Sequence, residues 1–118
     1  MEIGLKRSGV PHDLKVVHDG HHAIAMLETE PPDLLLLDVQ MPGKNGFEVL
    51  EHVKGQDRLR RVPVVMLSFS ELAEDVNRAY DLHANAYVMK QTDFTELCRT
   101  LDSILQFWLR TATPPSRA

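Results

Sequence analysis

Short apolar runs alternate along this chain with segments whose apolar residues recur at helical spacing. Apolar runs bounded by turn residues are typical of buried strands, whereas apolar residues three or four positions apart form one face of a helix. The runs predict four strands, at Leu14–Val17, Leu34–Asp38, Val62–Leu67 and Ala86–Met89. Because such strands alternate with helical segments, the pattern predicts an α/β fold, a doubly wound parallel sheet with helices on both faces.

Four helical segments follow these strands. Their apolar faces are formed by Ala23, Ile24 and Leu27, by Phe47, Leu50 and Val53, by Leu72, Val76 and Ala79, and by a stripe from Phe94 to Leu109. Ser70 is the predicted N-cap of the third helix. Asp93 is the predicted N-cap of the fourth, with Glu96 at the position that completes a capping box.

The start of the chain departs from this alternation. Residues 1–8 have the pattern of the end of a helix that Gly9 stops, and Pro11 follows. An alternating α/β domain that opens in a helix lacks the strand that would precede it. We therefore expect an N-terminally truncated domain over residues 1–110, with its first strand missing, and a short Pro- and Ser-containing tail over 111–118.

Composition narrows the class of protein further. The 118 residues carry 17 acidic and 13 basic side chains, a net charge of −4 that argues against a nucleic-acid-binding surface. No apolar stretch approaches the roughly 18 residues of a membrane span, and the first twenty residues lack the apolar core of a secretory signal. The single Cys98 cannot form an internal disulfide, so we expect a buried free thiol and a reducing, cytoplasmic location.

Polar residues follow three of the predicted strands. Asp38 ends the four-leucine run, Ser68 follows the third strand, and Lys90 follows the fourth. In a parallel sheet these strand ends lie at one edge, where ligands bind, so the three side chains can converge. A nucleophilic carboxylate with a hydroxyl and an ammonium beside it suits a phosphoryl group attached to the carboxylate. The competing interpretation is that Asp38 merely caps a turn or helix.

These residues carry a resemblance to a known family. From about Leu14 to its end, the chain resembles the receiver domain of bacterial two-component response regulators, which have a flavodoxin-like fold. The motifs are Asp38-x-x-Met41-Pro42-x-x-x-Gly46, the strand from Pro63 to Ser68, and Tyr87-x-x-Lys90. Within that family, the segment from Tyr80 to Tyr87 and the closing Phe107, Trp108 and Leu109 resemble stand-alone regulators of phytochrome-type histidine kinases.

The resemblance implies a role for each matching residue. Asp38 would accept a phosphoryl group from a sensor histidine kinase, Ser68 and Lys90 would hold the phosphoryl oxygens, and Ser68 with Tyr87 would form the switch. Asp38 and the backbone carbonyl of Gln40 would be Mg²⁺ ligands, beside an acidic pair on the first strand that this sequence lacks. Such a domain is a phosphoacceptor in signalling and not an enzyme.

Further expectations rest on the same family. Its first strand lies between the strands that correspond to Leu14–Val17 and Leu34–Asp38, so its loss should leave an empty slot in the sheet. The chain should then rearrange, exchange a segment between two copies, or be insoluble. Gln91 stands where the family usually has Pro in a cis bond, and Asn45 where many members have Asp, a nearly neutral change in a solvated loop.

Two functions remain open at this point. The first is a single-domain response regulator that also forms a homodimer through Phe107, Trp108 and Leu109, because the apolar stripe of the last helix is longer than one face of a small sheet needs. The alternative is a phosphorylation-independent, degenerate receiver that acts as a dimerisation or docking module. The state of the first strand and its acidic pair discriminates between them.

Other interpretations are weaker. His18, His21 and His22 suggest a metal site, but His21 and His22 are adjacent and would diverge on a helix. Gly43-Lys44 lacks the other residues of a phosphate-binding loop. An apolar strand ending in Asp also resembles the second metal-binding strand of a P-loop NTPase that has lost its first motif, which would leave Ser68 and Lys90 unexplained. Tyr87 and Trp108 could be plain core residues.

Overall fold

The computed structural model describes the backbone of residues 14–17, residue 27, and residues 32–40 and 45–113. The strands are β1 (Leu14–Val17), β2 (Leu34–Asp38), β3 (Val64–Ser68) and β4 (Ala86–Met89). The helices are α1 (Gly46–Gly55), α2 (Ala73–Asp81) and α3 (Phe94–Gln106), and a π-helical segment (Phe107–Thr111) continues α3.

The four strands form one parallel sheet in the order β1-β2-β3-β4. The expected empty slot between the first two of these strands is not formed. Leu14 pairs with Leu34 and Val17 with Leu37, so β1 lies directly beside β2. Of the three outcomes expected, the structure shows rearrangement, because direct pairing satisfies the backbone donors and acceptors that an empty slot would leave exposed.

Strand β2 separates two hydrophobic layers. Leu35 and Leu37 belong to a cluster that includes residues of α1 and α2. Leu34 and Leu36 belong to a second cluster, called here the α3 cluster, in which strand residues pack against α3 and the segment that follows it. All four leucines are almost completely buried. Because successive side chains of β2 point to opposite faces, helices cover both faces of the sheet, as the sequence pattern predicts. A polar side chain of β2 can therefore lie only at an end of the strand.

The third strand begins later than predicted. Val62 and Pro63 precede β3, and the amide of Val62 donates to the carbonyl of Leu59 at 2.9 Å in a turn. Val62 is buried although it is outside the strand, which is why its apolar character was misleading. The strand includes Ser68 as its last residue, so the hydroxyl is part of the ladder itself.

Helix α2 also differs at its start. Its N-cap is Leu72, which is 59% exposed and makes no side-chain capping bond, and Ala79 is the buried residue of the helix. The predicted N-cap, Ser70, lies outside the helix. Its hydroxyl oxygen accepts from the amide of Leu72 at 3.2 Å and donates to Asp75 Oδ2 at 2.5 Å, so it orders the loop before α2.

Helix α3 starts as predicted, since Asp93 Oδ1 accepts from the amide of Thr95 at 2.9 Å. Glu96 does not complete a capping box; it pairs with Arg99 Nη1 at 2.9 Å. Cys98 is a buried free thiol, as expected. Most of the apolar stripe packs on the sheet, because Leu101, Ile104, Leu105 and Leu109 are buried in the α3 cluster. Phe94, at the start of the stripe, and Phe107, which lies outside it, are about half exposed.

Several expectations concern residues that the structure does not describe. The helix end at residues 1–8, Ala23, Ile24 and the three histidines at 18, 21 and 22 lie outside the described residues. Leu27 is described as helical and fully buried, in agreement with its predicted face. Within the described part of the chain, no helix has the length and apolar character needed to span a membrane.

Asn85 joins three elements at the edge of the sheet where β3 begins. Its Oδ1 accepts from the amide of Val64 at 2.8 Å and from Lys54 Nζ at 3.1 Å. Lys54 Nζ also donates to the carbonyls of Arg60 and Val62, at 3.1 and 2.9 Å. Burial lowers the pKa of the Lys54 ammonium. This network fixes the loop that delivers β3 to the sheet.

We predict that Asn85→Ala lowers the free energy of unfolding by about 1–3 kcal/mol, because the amide of buried Val64 loses its acceptor. Urea denaturation followed by circular dichroism measures the change. Asn77→Ala, at an exposed position of α2, is the matched control and should change stability by no more than about 0.5 kcal/mol. Equal effects of the two substitutions would contradict the role assigned to Asn85.

Candidate functional site

The three predicted site residues meet at one edge of the sheet. Asp38 is the last residue of β2, Ser68 the last of β3, and Lys90 immediately follows β4. Asp38 pairs in register with Leu67, and the amide of Lys90 donates to the carbonyl of Ser68 at 2.8 Å. The parallel ladder therefore places all three residues side by side, as their positions in the sequence predict.

Asp38 and Lys90 form the ion pair at the centre of the site. Lys90 Nζ donates to Asp38 Oδ2, and the side chains are 11% and 9% exposed. The other carboxylate oxygen, Oδ1, accepts from the amide of Gln40 at 3.2 Å. Both oxygens thus have a donor, which a carboxylate withdrawn from water requires. Removing either charge would leave the other buried without its partner.

Ser68 is fully buried and its hydroxyl is already engaged. Ser68 Oγ lies 3.1 Å from Gln40 Nε2 and 3.4 Å from Gln40 Oε1, and it accepts from the amide of Ser70 at 3.0 Å. Among the described residues, Ser68 forms no hydrogen bond with Asp38, and its hydroxyl is bonded to the Gln40 side chain instead. Sequence reasoning assigned Gln40 only a backbone carbonyl, and nothing in the pattern indicates this side-chain contact, which spans 28 positions.

Gly46 explains the last position of the Asp38-x-x-Met41-Pro42-x-x-x-Gly46 motif. Its amide donates to the carbonyl of Val39 at 2.9 Å, so the first residue of α1 lies against the end of β2. A Cβ atom at this position would lie 2.4 Å from the carbonyl oxygen of Asp38 and 2.8 Å from Val39 Cα. Only glycine allows α1 to begin this close to the carboxylate-bearing strand.

The start of α1 contains a capping box that sequence reasoning missed. Asn45 Oδ1 accepts from the amide of Glu48 at 3.0 Å, and Glu48 Oε1 accepts from the amide of Asn45 at 3.4 Å, which is a capping box. Asn45 is the N-cap of α1, and the expectation that Asn in place of Asp is nearly neutral here stays a prediction, because the two residues are equally favoured at N-caps. The Asn-x-x-Glu spacing was the available signal.

Tyr87, the predicted switch aromatic, is half buried and packs against the cluster that covers the α1 and α2 face. Its hydroxyl donates to the carbonyl of Ser70 at 3.0 Å, and its amide donates to the hydroxyl of Tyr80 at 3.2 Å. Tyr87 is therefore bonded to the same loop that holds the Ser68 hydroxyl. The peptide bond between Lys90 and Gln91 is trans, as are all peptide bonds of the described residues.

The predicted dimer residues have different environments. Leu109 is buried in the α3 cluster of its own chain, so it is not available to a second copy. Trp108 packs against the same cluster and is partly buried. Phe107 is 51% exposed and contacts Trp108 edge to face, with ring centroids 5.2 Å apart. Of the three side chains, Phe107 is the one that presents most apolar surface to solvent.

The metal ligands of the family are only partly represented. Asp38 and the backbone of Gln40 lie together at the site, but the described residues contain no cluster of three Asp, Glu, His or Cys side chains able to hold a metal ion. Mg²⁺ takes six oxygen ligands in a near-ideal octahedron and relies on carboxylates to balance its charge. The described residues alone do not fit a complete magnesium site.

Comparisons with known proteins show which family this chain resembles. The response regulator receiver domain matches residues 1–102. Response regulator Rcp1 of Synechocystis sp. is 40% identical over 119 residues, covering 95% of this chain and 81% of that protein. The structure of the Mn²⁺-bound form of Rcp1 has a TM-score of 0.88 and 37% identity, over 98% of this chain and 88% of that one.

The phosphorylated cyanobacterial phytochrome response regulator RcpA is equally similar in structure, with a TM-score of 0.88 and 42% identity over 98% of this chain and 87% of that one. The chain therefore belongs to the response regulator receiver domain family. It is a receiver-domain response regulator of two-component signalling. The flavodoxin-like fold and the resemblance to phytochrome-associated regulators are both confirmed.

We predict that Gly46→Ala destabilises the domain by about 1–3 kcal/mol, because the new methyl group overlaps the backbone at Asp38. The same urea denaturation measures it. Gly55→Ala is the matched control at the other end of α1, where nothing lies within 4 Å of the added atom. It should be neutral or stabilising by up to about 1 kcal/mol. A neutral Gly46→Ala would show that α1 does not need this close approach.

Proposed function

We propose that Asp38 is the phosphoacceptor of this response regulator and that a sensor histidine kinase of the phytochrome type is the donor. The observation that carries the proposal is the buried ion pair of Asp38 with Lys90 at a sheet edge where Ser68 also ends its strand. The choice of kinase rests on the similarity to RcpA, which is a cyanobacterial phytochrome response regulator.

Phosphoryl transfer to Asp38 requires that the Lys90 ammonium change its anionic partner. A carboxylate oxygen of Asp38 attacks the phosphorus of a phosphohistidine, the P–N bond breaks, and its electron pair stays on the imidazole of the kinase. The product is an acyl phosphate, in which Asp38 no longer carries a carboxylate charge. The Lys90 ammonium, which now pairs with that carboxylate, then pairs with a phosphoryl oxygen.

Ser68 makes a parallel exchange. Its hydroxyl is held by the Gln40 amide and by the amide of Ser70, and it leaves the Gln40 contact to bond a phosphoryl oxygen. Because the hydroxyl of Tyr87 is bonded to the carbonyl of Ser70, movement of the Ser68–Ser70 segment acts directly on Tyr87. This is a two-state packing change of the kind that alters a partner surface.

Magnesium is the cofactor that this function implies. Asp38 and the carbonyl of Gln40 would supply two of its ligands, and the ion would supply charge neutralisation when bound. The further carboxylates that the family provides are not among the described residues. Magnesium dependence of phosphorylation is thus part of the proposal, and adding or chelating the ion during phosphoryl labelling tests it.

We predict that Asp38→Asn abolishes phosphoryl transfer, because it keeps the size of the side chain and removes the nucleophile. The measurement is label uptake from a phosphorylated histidine kinase or from acetyl phosphate. Asp57→Asn, which removes an exposed carboxylate paired with Arg60, is the control and should label like the wild type. Ser68→Ala should take label but weaken the phosphorylation-dependent change in partner binding. Label uptake by Asp38→Asn would refute the assignment.

The second candidate function is a docking module that works without phosphorylation. One observation favours it, the lack of a complete acidic cluster among the described residues. In that case the wild-type chain takes no label, with or without Mg²⁺, while its partner binding equals that of Asp38→Asn. The labelling experiment therefore separates the two functions.

A homodimer through the end of α3 belongs to the same proposal. Support comes from Phe107, an exposed aromatic ring next to the half-buried Trp108. Aromatic residues at the centre of an interface often contribute about 2 kcal/mol or more. Leu109 would act only indirectly, by holding this segment on the sheet.

We predict that Phe107→Ala raises the dimer dissociation constant about 30-fold, the factor that corresponds to about 2 kcal/mol. Analytical ultracentrifugation measures it. Phe94→Ala removes a ring of similar exposure from the other end of the helix and should leave the constant unchanged. Phe107→Ala is a cleaner test than Trp108→Ala, because Trp108 packs against the α3 cluster and its removal also disturbs the core. A wild type that stays monomeric at high concentration would rule the contact out.

A further inference from the structure

The residue after Ser68 makes a contact that the family motifs do not explain. Phe69 follows β3 directly, and its side chain is 55% exposed although the residues before it are buried. Its ring is not in either hydrophobic cluster. The centroid of the ring lies 5.0 Å from Lys90 Nζ, with the ammonium over the ring. The exposed phenyl group therefore covers the cation of the site.

This contact places Lys90 Nζ between two attractive groups. One is the carboxylate of Asp38 and the other is the face of the Phe69 ring. An ammonium within about 6 Å of a ring centroid is attracted by the ring quadrupole, by about 0.5–1 kcal/mol at exposed sites and more when water is excluded. The side chain of Lys90 is only 11% exposed, so much of its water has already been removed.

The geometry points to Phe69 as a positioning residue for phosphoryl transfer, which acts by holding the Lys90 ammonium beside Asp38. This inference rests on the proposed phosphoacceptor function. The ring contact does not depend on the charge of Asp38, so it persists when the carboxylate becomes an acyl phosphate. Lys90 then changes its anionic partner while its position is kept, and a long, flexible side chain loses less freedom when it bonds the phosphoryl group.

The test uses the full chain with three substitutions of Phe69. Phe69→Leu keeps an apolar side chain of similar size over Lys90 but removes the aromatic ring. Phe69→Ala removes both the apolar cover and the ring, and Phe69→Tyr keeps the ring. We expect label uptake from acetyl phosphate to be slower in Phe69→Leu and Phe69→Ala alike, by about two- to fivefold, which corresponds to about 0.5–1 kcal/mol. Phe69→Tyr should retain the wild-type rate.

Two further readouts separate positioning from a merely structural effect. In the nuclear magnetic resonance spectrum of the unphosphorylated protein, the ε-methylene protons of Lys90 should be shifted upfield by the ring. The shift should vanish in Phe69→Leu and remain in Phe69→Tyr. In a Lys90→Met background, Phe69→Leu should cause no additional loss of rate, since the effect acts through the ammonium.

The outcomes are distinct for the two proposals. If the wild type takes label on Asp38 but Phe69→Leu labels at the wild-type rate, the inference about Phe69 is wrong and the phosphoacceptor function stands. The inference also fails if Phe69→Leu is equally harmful without Lys90, or if the Lys90 protons show no ring shift. If the wild type takes no label at all, the phosphoacceptor function itself fails, and the role of Phe69 in phosphoryl transfer fails with it.

Discussion

Strand β2 is buried on both faces, and this constraint decides where the chain can place a charge. Four leucines fill the two layers beside the strand, so its carboxylate can lie only at the strand end, where Asp38 is still 93% buried by the layers around it. A carboxylate in that position needs donors. Lys90 and the amide of Gln40 supply them, and the ion pair links residues 52 positions apart in the chain.

The ammonium of Lys90 and the hydroxyl of Ser68 both have partners in the unphosphorylated site. Lys90 is paired with Asp38, and the Ser68 hydroxyl is paired with Gln40 and with the amide of Ser70. In the proposed function, phosphorylation exchanges this set of hydrogen bonds for contacts with the phosphoryl oxygens. An exchange of this kind lets a local chemical change select between two packings of a domain. In the same proposal, the hydrogen bond from Tyr87 to Ser70 connects this exchange to β4.

The close packing of α1 against β2 serves the same site. Gly46 brings the helix against the backbone of Asp38, and the capping box of Asn45 and Glu48 sets where the helix starts. On the other side of β2, direct pairing with β1 completes the backbone hydrogen bonding of the strand. The position of Asp38 is thus fixed by contacts on several sides, whereas Phe69 and Gln40 are exposed side chains.

The sequence by itself determined the alternation of strands and helices, the two-sided burial of β2 and the meeting of Asp38, Ser68 and Lys90 at one edge. These features follow from the period of apolar residues and from the geometry of parallel strands, which are local properties of the chain. Only the tertiary structure decided that β1 pairs directly with β2, that Gln40 holds Ser68, that Phe69 covers Lys90, and that Leu109 is core. Each of these depends on the distance and angle between segments far apart in the sequence, and a pattern of residue types along one segment carries no information about that geometry.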